Sequence, residues 1–393
     1  MDVLIEKSPL HGVIQAIPSK SDAHRALIAA ALCQSPCEIL LPAASADIDA
    51  TIAALCALGA CITRSESGVY VEPLLQKAIR PRLDCGESGS TLRFLLPLSA
   101  YVSQSPTFLG HGRLPERPIG PLLAALAQNG VTATSTRIPL TLDGTPRAGD
   151  YRVPGDVSSQ FLSGLLFLLP LLVGDSVLHI QGKQVSAQYT EMTLGTLRRF
   201  GIRVDAVAGG YRVCGAQRYV SPKRYAVEGD WSNAAFFLAA GVDVRGLDDA
   251  CAQPDRAILS LLPMLGSEID VSGCPDLFPI LAVCAALHGG VTDFTGGARL
   301  RAKECDRLSA MVACLHAIGA DVTERENGMR VRGGKALHGA DVDGYNDHRI
   351  VMAMSIAGSR VGGLCIRGAQ AVRKSYPGFF DDFQALGGVY HVL

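Results

Sequence analysis

Six times along this chain an apolar helical run ends in a glycine, and a short alternating segment of strand character follows at once. The stretches are "LCALGACITRS", "LAQNGVTATST", "LRRFGIRVDAV", "PMLGSEIDVSG", "LHAIGADVTER" and "QALGGVYHVL". Glycine suits the position just past a helix because it takes a left-handed backbone at no steric cost. Gly59, Gly130, Gly201, Gly266, Gly319 and Gly387 are separated by 71, 71, 65, 53 and 68 residues. One such match is common in any α/β protein, whereas six at similar spacing imply six structural repeats, three in each half. The expected architecture is α/β, two similar lobes around a cleft. The first lobe spans residues 18–227, and the second combines 1–17 with 228–393. The N-terminal strand "DVLIEK" precedes the first helix and is free to pair within the second half.

A chain of 393 residues exceeds one small core, which agrees with two domains. With 48% hydrophobic and 19% charged residues it is a packed globular protein. Lys and Arg number 36 against 37 Asp and Glu, so bulk charge gives no support for nucleic-acid binding, and any anion site must concentrate cations locally. The twelve cysteines form no CxxC pair, zinc pattern or disulfide framework. Cys56, Cys284 and Cys314 lie in apolar helical runs, where a thiol acts as a small hydrophobe. "MDVLIEKSPLHG" lacks the pattern of a signal peptide, and "FLSGLLFLLPLLVG" is too short to span a bilayer. A cytoplasmic protein without membrane contact is expected.

The chemistry is carried by helix starts. "PSKSDAHRAL" crowds Lys20 and Arg25 onto the first turns of an apolar helix. Cations are electrostatically misplaced at a helix N-terminus unless an anion sits among them, although read alone the segment is also an ordinary solvated start. "DCGESGSTLRF" offers backbone N–H groups around Gly86 and Gly89, with Ser90 and Thr91 as caps, and is equally a plain glycine-rich turn. "GRLPERPIG" presents Arg113 and Arg117, whose planar forks match phosphate or carboxylate; alone it reads as a surface loop. "GDVSSQFLSGLL" places Ser158, Ser159 and Gln160 before an apolar helix, either as caps or as donors to a phosphate. "QVSAQYTEM" adds Ser186 and Tyr189. In "RLRAKECDRLSAM", Lys303 and Arg307 share a helical face with Glu304 between them, and Asp306 suits a cap. In "DGYNDHRIVMA", Asn346 or Asp347 caps while His348 and Arg349 take the first turn, and Lys374 stands before a last helix. Lys20, Arg25, Arg117, Lys303, Arg307, Arg349 and Lys374 are in proportion to two phosphorylated carboxylates, which carry roughly four to six negative charges.

These segments, in this order, closely resemble the 5-enolpyruvylshikimate-3-phosphate synthases, a family of enolpyruvyl transferases. "SKSDAHR", "GESGSTLR", "RLPERP", "GDVSSQFLSGLL", "VSAQYTEMT", "GDWSNAAFFLAA", "PDLFPILAV", "RAKECDRL", "NDHRIVMA" and "KSYPGFF" carry the resemblance across nearly the whole chain. It implies two lobes of three βαβαββ units each, an inside-out α/β barrel joined by two crossover strands. It also implies transfer of enolpyruvyl from phosphoenolpyruvate to the 5-hydroxyl of shikimate 3-phosphate, with release of phosphate. This is a step of the shikimate pathway to the aromatic amino acids. No metal or organic cofactor is implied, and the partners are the two small substrates of a monomer. The herbicide glyphosate takes the phosphoenolpyruvate site in this family.

The resemblance assigns Lys20, Ser21, Arg25, Ser158, Ser159, Gln160, Ser186, Asp276 and Lys303 to shikimate 3-phosphate. It assigns Lys20, Gly89, Ser90, Arg117, Gln160, Arg307, Arg349 and Lys374 to phosphoenolpyruvate. Asp276 is implied as the base on the 5-hydroxyl, and Glu304 as the proton relay to the methylene carbon, with Lys20 and His348 close by. There are departures. Glu87 stands where the family commonly has Asn, Ser90 replaces the common Thr, and Arg299 occupies a position that is a substrate-contacting Asn in some members. The chain is also shorter than many members, which implies trimmed loops. The sister transferase acting on UDP-N-acetylglucosamine is the nearest rival, but it typically has a reactive cysteine in the loop matching "HGRLPERPIG", and none is present.

Overall fold

The computed structural model describes all residues from Met1 to Leu393. It divides into two compact units, Pro18–Glu228 and Met1–Ile17 with Gly229–Leu393.

The Pro18–Glu228 unit carries α1 (Lys20–Ala31), α2 (Ala46–Ala57), α3 (Gly89–Val102), α4 (Gly120–Ala127), α5 (Ser159–Leu168) and α6 (Ala187–Arg199). The odd-numbered helices are the interior ones. α5, "SQFLSGLLFL", is apolar on every side and almost wholly buried, as such a composition demands. Ser19, Ser88 and Ser158 start these three helices, each side-chain oxygen accepting a backbone N–H of the first turn. The cap of α3 is therefore Ser88, not the expected Ser90 or Thr91, because the helix begins at Gly89. α3 and α5 lie with their backbones close, since a Cβ on Gly164 would run into the Arg93 carbonyl.

Three four-stranded sheets surround these helices with one order. Asp150–Pro154 pairs parallel with Ser176–Gln181, which pairs antiparallel with Gly210–Val213, and Asp205–Val207 closes the edge antiparallel. Arg82–Asp84, Thr107–Leu109, Leu140–Gly144 and Val131–Ala133 repeat the order, as do Arg224–Ala226, Cys37–Leu40, Gly68–Glu72 and Cys61–Ser65.

The other unit carries α7 (Trp231–Ala239), α8 (Ile258–Leu261), α9 (Phe278–Leu287), α10 (Arg307–Ala317), α11 (His348–Val361) and α12 (Phe379–Ala385). Asp230, Asp306 and Asp347 cap α7, α10 and α11. Two sheets follow the same order: Glu268–Asp270, Gly290–Thr295, Gly328–Gly333 and Asp321–Arg325, then Asp341–Asp343, Leu364–Arg367, Val3–Ile5 and Tyr390–Val392. The N-terminal strand thus joins the second half, as its sequence position allows.

One repeat differs from expectation. After five of the six glycines the chain enters the antiparallel edge strand of a four-stranded sheet; Gly59, at φ +108, leads into Cys61–Ser65. After Gly266 it enters Glu268–Asp270, which lies at the opposite, parallel edge. No hairpin intervenes, so Asp243–Arg245 and Val13–Gln15 form a sheet of two strands. The missing hairpin accounts for the short 53-residue spacing. A second difference is Cys56, which is exposed near the end of α2 while Cys314 is buried. The α2 pattern is amphipathic there, and the thiol falls on its outer face. No helix is long and apolar enough to cross a membrane.

Candidate active site

In the Pro18–Glu228 unit the starts of α1, α3, α5 and α6 are tied to one another by side chains. Arg25, buried on α1, donates from Nε to Thr193 Oγ1 at 2.8 Å and from Nη2 to the Tyr189 carbonyl at 2.9 Å, both on α6. Its Nη1 donates to the Ser21 carbonyl, and its guanidinium lies 5.0 Å from the Phe94 ring centre on α3. Burial lowers its pKa to about 10, which leaves it charged at neutral pH. Lys20 Nζ sits 2.8 Å from Asp47 Oδ2 at the start of α2. Asp47 was missed from sequence; the acidic start "ADID" is the signal that marks it. His24 is buried and held neutral by desolvation and by Lys20 and Arg25. Its Nδ1 meets Thr51 Oγ1 at 2.7 Å, which meets Thr91 Oγ1 at 2.6 Å, locking α1 and α2 to the start of α3.

At α3, Gly89 lies against Arg117. A Cβ there would come within 2.8 Å of Arg117 Nη1, so the absent side chain is what admits the guanidinium. Gln160 Nε2 donates to Ser90 Oγ at 2.9 Å, and Gln160 Oε1 accepts from Arg93 Nη1 at 2.7 Å. Gly89, Ser90, Arg117 and Gln160 are thereby brought together. Ser158 starts α5, and Ser186 starts α6 in the left-handed region at φ +54. Arg113 instead forms a surface pair with Glu116. Glu87 turns its carboxyl toward Gly112 and the His111 loop.

In the second unit three basic and four acidic side chains interlock. Arg307, 1% exposed, donates from Nη1 to Asp276 Oδ1 at 2.6 Å, from Nη2 to Glu304 Oε2 at 2.7 Å and from Nε to Asp347 Oδ2 at 2.7 Å. Lys303 Nζ approaches Asp276 Oδ1 at 3.3 Å, and Arg349 Nη2 approaches Asp276 Oδ2 at 3.2 Å. Burial alone would push the Asp276 carboxyl up, but Arg349, Lys303 and Arg307 together hold it well below the usual carboxylate range. Desolvation pulls Lys303 down to about 8 against the opposing field of Asp276. Asp255, buried in the turn Pro254–Ala257, is pushed up to about 6 by desolvation and the neighbouring Asp276. Arg299 Nη2 donates to the Ser272 carbonyl at 2.6 Å. Lys374 Nζ donates to the Asn346 carbonyl at 2.6 Å, in a turn where Tyr345 and Asn346 both take φ +50. His348 is buried at the start of α11, its Nδ1 3.9 Å from Asp347 Oδ1. Sequence reading gave Asp347 no role beyond capping and did not single out Asp255. A charged residue inside "NDHR" was visible, but which cation it serves depends on Arg307, forty residues away.

Each unit thus gathers buried cations at helix starts, whose partial positive charge adds to theirs, and in the second unit carboxylates lie among the cations, chemistry suited to handling anions.

The family model for EPSP synthase (3-phosphoshikimate 1-carboxyvinyltransferase) matches residues 5–248 and 248–383. The chain is 40% identical to the 3-phosphoshikimate 1-carboxyvinyltransferase of Clostridium kluyveri, covering 98% of this chain and 97% of that one. It is 38% identical to that of Clostridium acetobutylicum over 99% and 98%, and 35% to that of Methanocorpusculum labreanum over 98% and 99%. The solved EPSP synthase of Acinetobacter baumannii superposes with a TM-score of 0.81 at 22% identity over the full length of both chains, a likeness of fold. The chain therefore belongs to the EPSP synthase family, a transferase of the shikimate pathway with 3-phosphoshikimate 1-carboxyvinyltransferase activity, EC 2.5.1.19.

Proposed function

We propose that the following residues carry this activity. Lys20, Ser21, Arg25, Ser158, Ser159, Gln160 and Ser186, with Asp276 and Lys303, hold shikimate 3-phosphate. Lys20, Gly89, Ser90, Arg117, Gln160, Arg307, Arg349 and Lys374 hold phosphoenolpyruvate. The observation that carries this reading is Asp276, both of whose carboxylate oxygens face cations.

In that state Asp276 is a poor base. A phosphate or carboxylate arriving on Lys303, Arg307 and Arg349 draws their charge to itself, and the Asp276 pKa rises toward the ordinary range. Asp276 then accepts the proton of the 5-hydroxyl as that oxygen bonds to C2 of phosphoenolpyruvate, while Glu304 delivers a proton to the methylene carbon. In the second step a proton leaves the new methyl group to Glu304, the carbon–carbon double bond re-forms as the C2–O bond to phosphate breaks, and the departing phosphate takes the proton that Asp276 had accepted. Lys20 and His348 assist the transfers. The cations stabilise charge on the phosphate and carboxylate in both steps, the kind of preorganised term that usually dominates catalysis.

Each unit reads as three copies of a βαβαββ motif, with one copy in the second stripped of its hairpin. Support comes from the shared strand order of five sheets. A cytoplasmic place fits twelve cysteines that are all free thiols, and the chain is taken to act as a monomer. The deciding assay is release of inorganic phosphate. It should require phosphoenolpyruvate and shikimate 3-phosphate together; release with UDP-N-acetylglucosamine as acceptor instead would overturn the substrate assignment.

A further inference from the structure

Arg93 lies on α3 one turn after Gly89 and is 4% exposed. Burying a guanidinium is costly, and an apolar side chain would fill the same space between α3 and α5 without that cost. Its hydrogen bonds explain the charge. Nη1 donates to Gln160 Oε1 at 2.7 Å, and Nη2 donates to the Pro118 carbonyl at 3.1 Å. Its guanidinium also lies 5.7 Å from the Phe161 ring centre.

We infer that Arg93 is a positioning residue of the phosphoenolpyruvate site, which sets the Gln160 amide and anchors the Arg117–Pro118 backbone through one guanidinium fork. Donors and acceptors fix the orientation of the amide. Arginine can only donate, so the Gln160 atom that faces it must be the oxygen. The Gln160 N–H group is then turned the other way, where it donates to Ser90 Oγ at 2.9 Å. Ser90 Oγ, having accepted, keeps its own proton to donate elsewhere. A single buried cation thus makes both Gln160 and Ser90 donors on the side away from Arg93, the polarity an anionic substrate requires.

The same fork reaches the loop. The Pro118 carbonyl follows Arg117 directly, and the Arg117 guanidinium lies over Gly89 at the start of the helix that carries Arg93. The base of the fork is fixed as well, because Gly164, one turn after Gln160 on α5, lets the Arg93 backbone pack directly against that helix. Lysine has the charge but not the planar pair of donors, so it cannot hold both oxygens in this geometry.

This inference rests on the reading that Gln160 and Arg117 contact substrate, and a double-mutant cycle separates the two. Steady-state kinetics with varied phosphoenolpyruvate at saturating shikimate 3-phosphate are compared for the full-length wild type, Arg93→Met, Gln160→Ala and the double variant, with thermal midpoints measured alongside. Loss of charged hydrogen bonds predicts a fall in kcat/KM for phosphoenolpyruvate of about 10–100-fold in Arg93→Met. The fall should come mainly through KM and shrink several-fold in the Gln160→Ala background. Arg93→Lys should fall between wild type and Arg93→Met, and it carries the same cycle should the Met variant fail to fold. A harmful Gln160→Ala whose loss simply multiplies with that of Arg93 overturns the positioning role and leaves the site reading standing. A silent Gln160→Ala overturns both.

Discussion

Gly89 and Arg117 share one space: the guanidinium occupies the volume that a side chain at position 89 would take, with Nη1 2.8 Å and Cζ 2.9 Å from an ideal Cβ. Gly89→Ala therefore displaces Arg117. Loss of a charge-assisted contact worth about 1.5–3 kcal/mol predicts a KM for phosphoenolpyruvate raised roughly 10–100-fold. Shikimate 3-phosphate affinity, measured by calorimetry, should change far less. An unchanged KM would remove Arg117 from the phosphoenolpyruvate clamp.

Asp276 meets three cations, and its replacement separates charge from proton transfer. Asp276→Asn keeps the shape and one acceptor. Turnover should fall about 10²–10⁴-fold, the range for a general base. Phosphoenolpyruvate binding should hold or tighten, because the competing carboxylate on Arg307 and Arg349 is gone. Near-normal turnover would exclude Asp276 as the base.

Lys303 titrates at about 8 in the free protein because desolvation disfavours its charge. Below that pH the ammonium is present and attracts the substrate phosphate; above it the free enzyme progressively loses the charge. Apparent affinity for shikimate 3-phosphate should fall as pH rises through 8, by up to about tenfold per unit. The fall should flatten in Lys303→Arg, whose guanidinium stays protonated. A wild-type profile flat from pH 7 to 9 would contradict the assignment.

Asp22 lies in the first turn of α1, where it accepts from Tyr225 Oη at 2.7 Å and from the Glu228 N–H at 3.1 Å. Desolvation, followed by repulsion from Glu228, raises its pKa from 3.8 to about 6. A folded-state pKa above the unfolded value contributes stability that is full below the unfolded pKa and is lost as pH rises through the folded one. Wild type should therefore gain about 1 kcal/mol relative to Asp22→Asn between pH 7 and pH 5. Urea midpoints of both proteins at the two pH values measure it. A difference independent of pH would mean that Asp22 titrates normally.

Local sequence carries what neighbours along the chain decide. The helix-to-glycine junctions were legible because the cap needs only one residue able to take positive φ, as at Gly59 and Gly319. Helix starts at Ser158, Asp306 and Asp347 were legible because a capping oxygen bonds an N–H two or three residues on. The apolar α5 announced its burial by composition. Motif segments covered the cations of both units, since each such stretch is contiguous.

Tertiary structure decided the partners. Gly266 looks like the other five glycines, yet its strand crosses to the parallel edge, because pairing depends on whether a hairpin follows and on what the next sheet offers. Arg93 reads as one more residue in "TLRFLL" until α5, brought close by Gly164, sets Gln160 before it, 67 residues away. Asp47 on Lys20, Asp276 and Asp347 on Arg307, and Asp255 beside Asp276 are likewise pairings across 21 to 40 residues. Which carboxylate meets which cation, and hence which groups change pKa, is set by burial and approach through space. Residue type and local spacing contain neither.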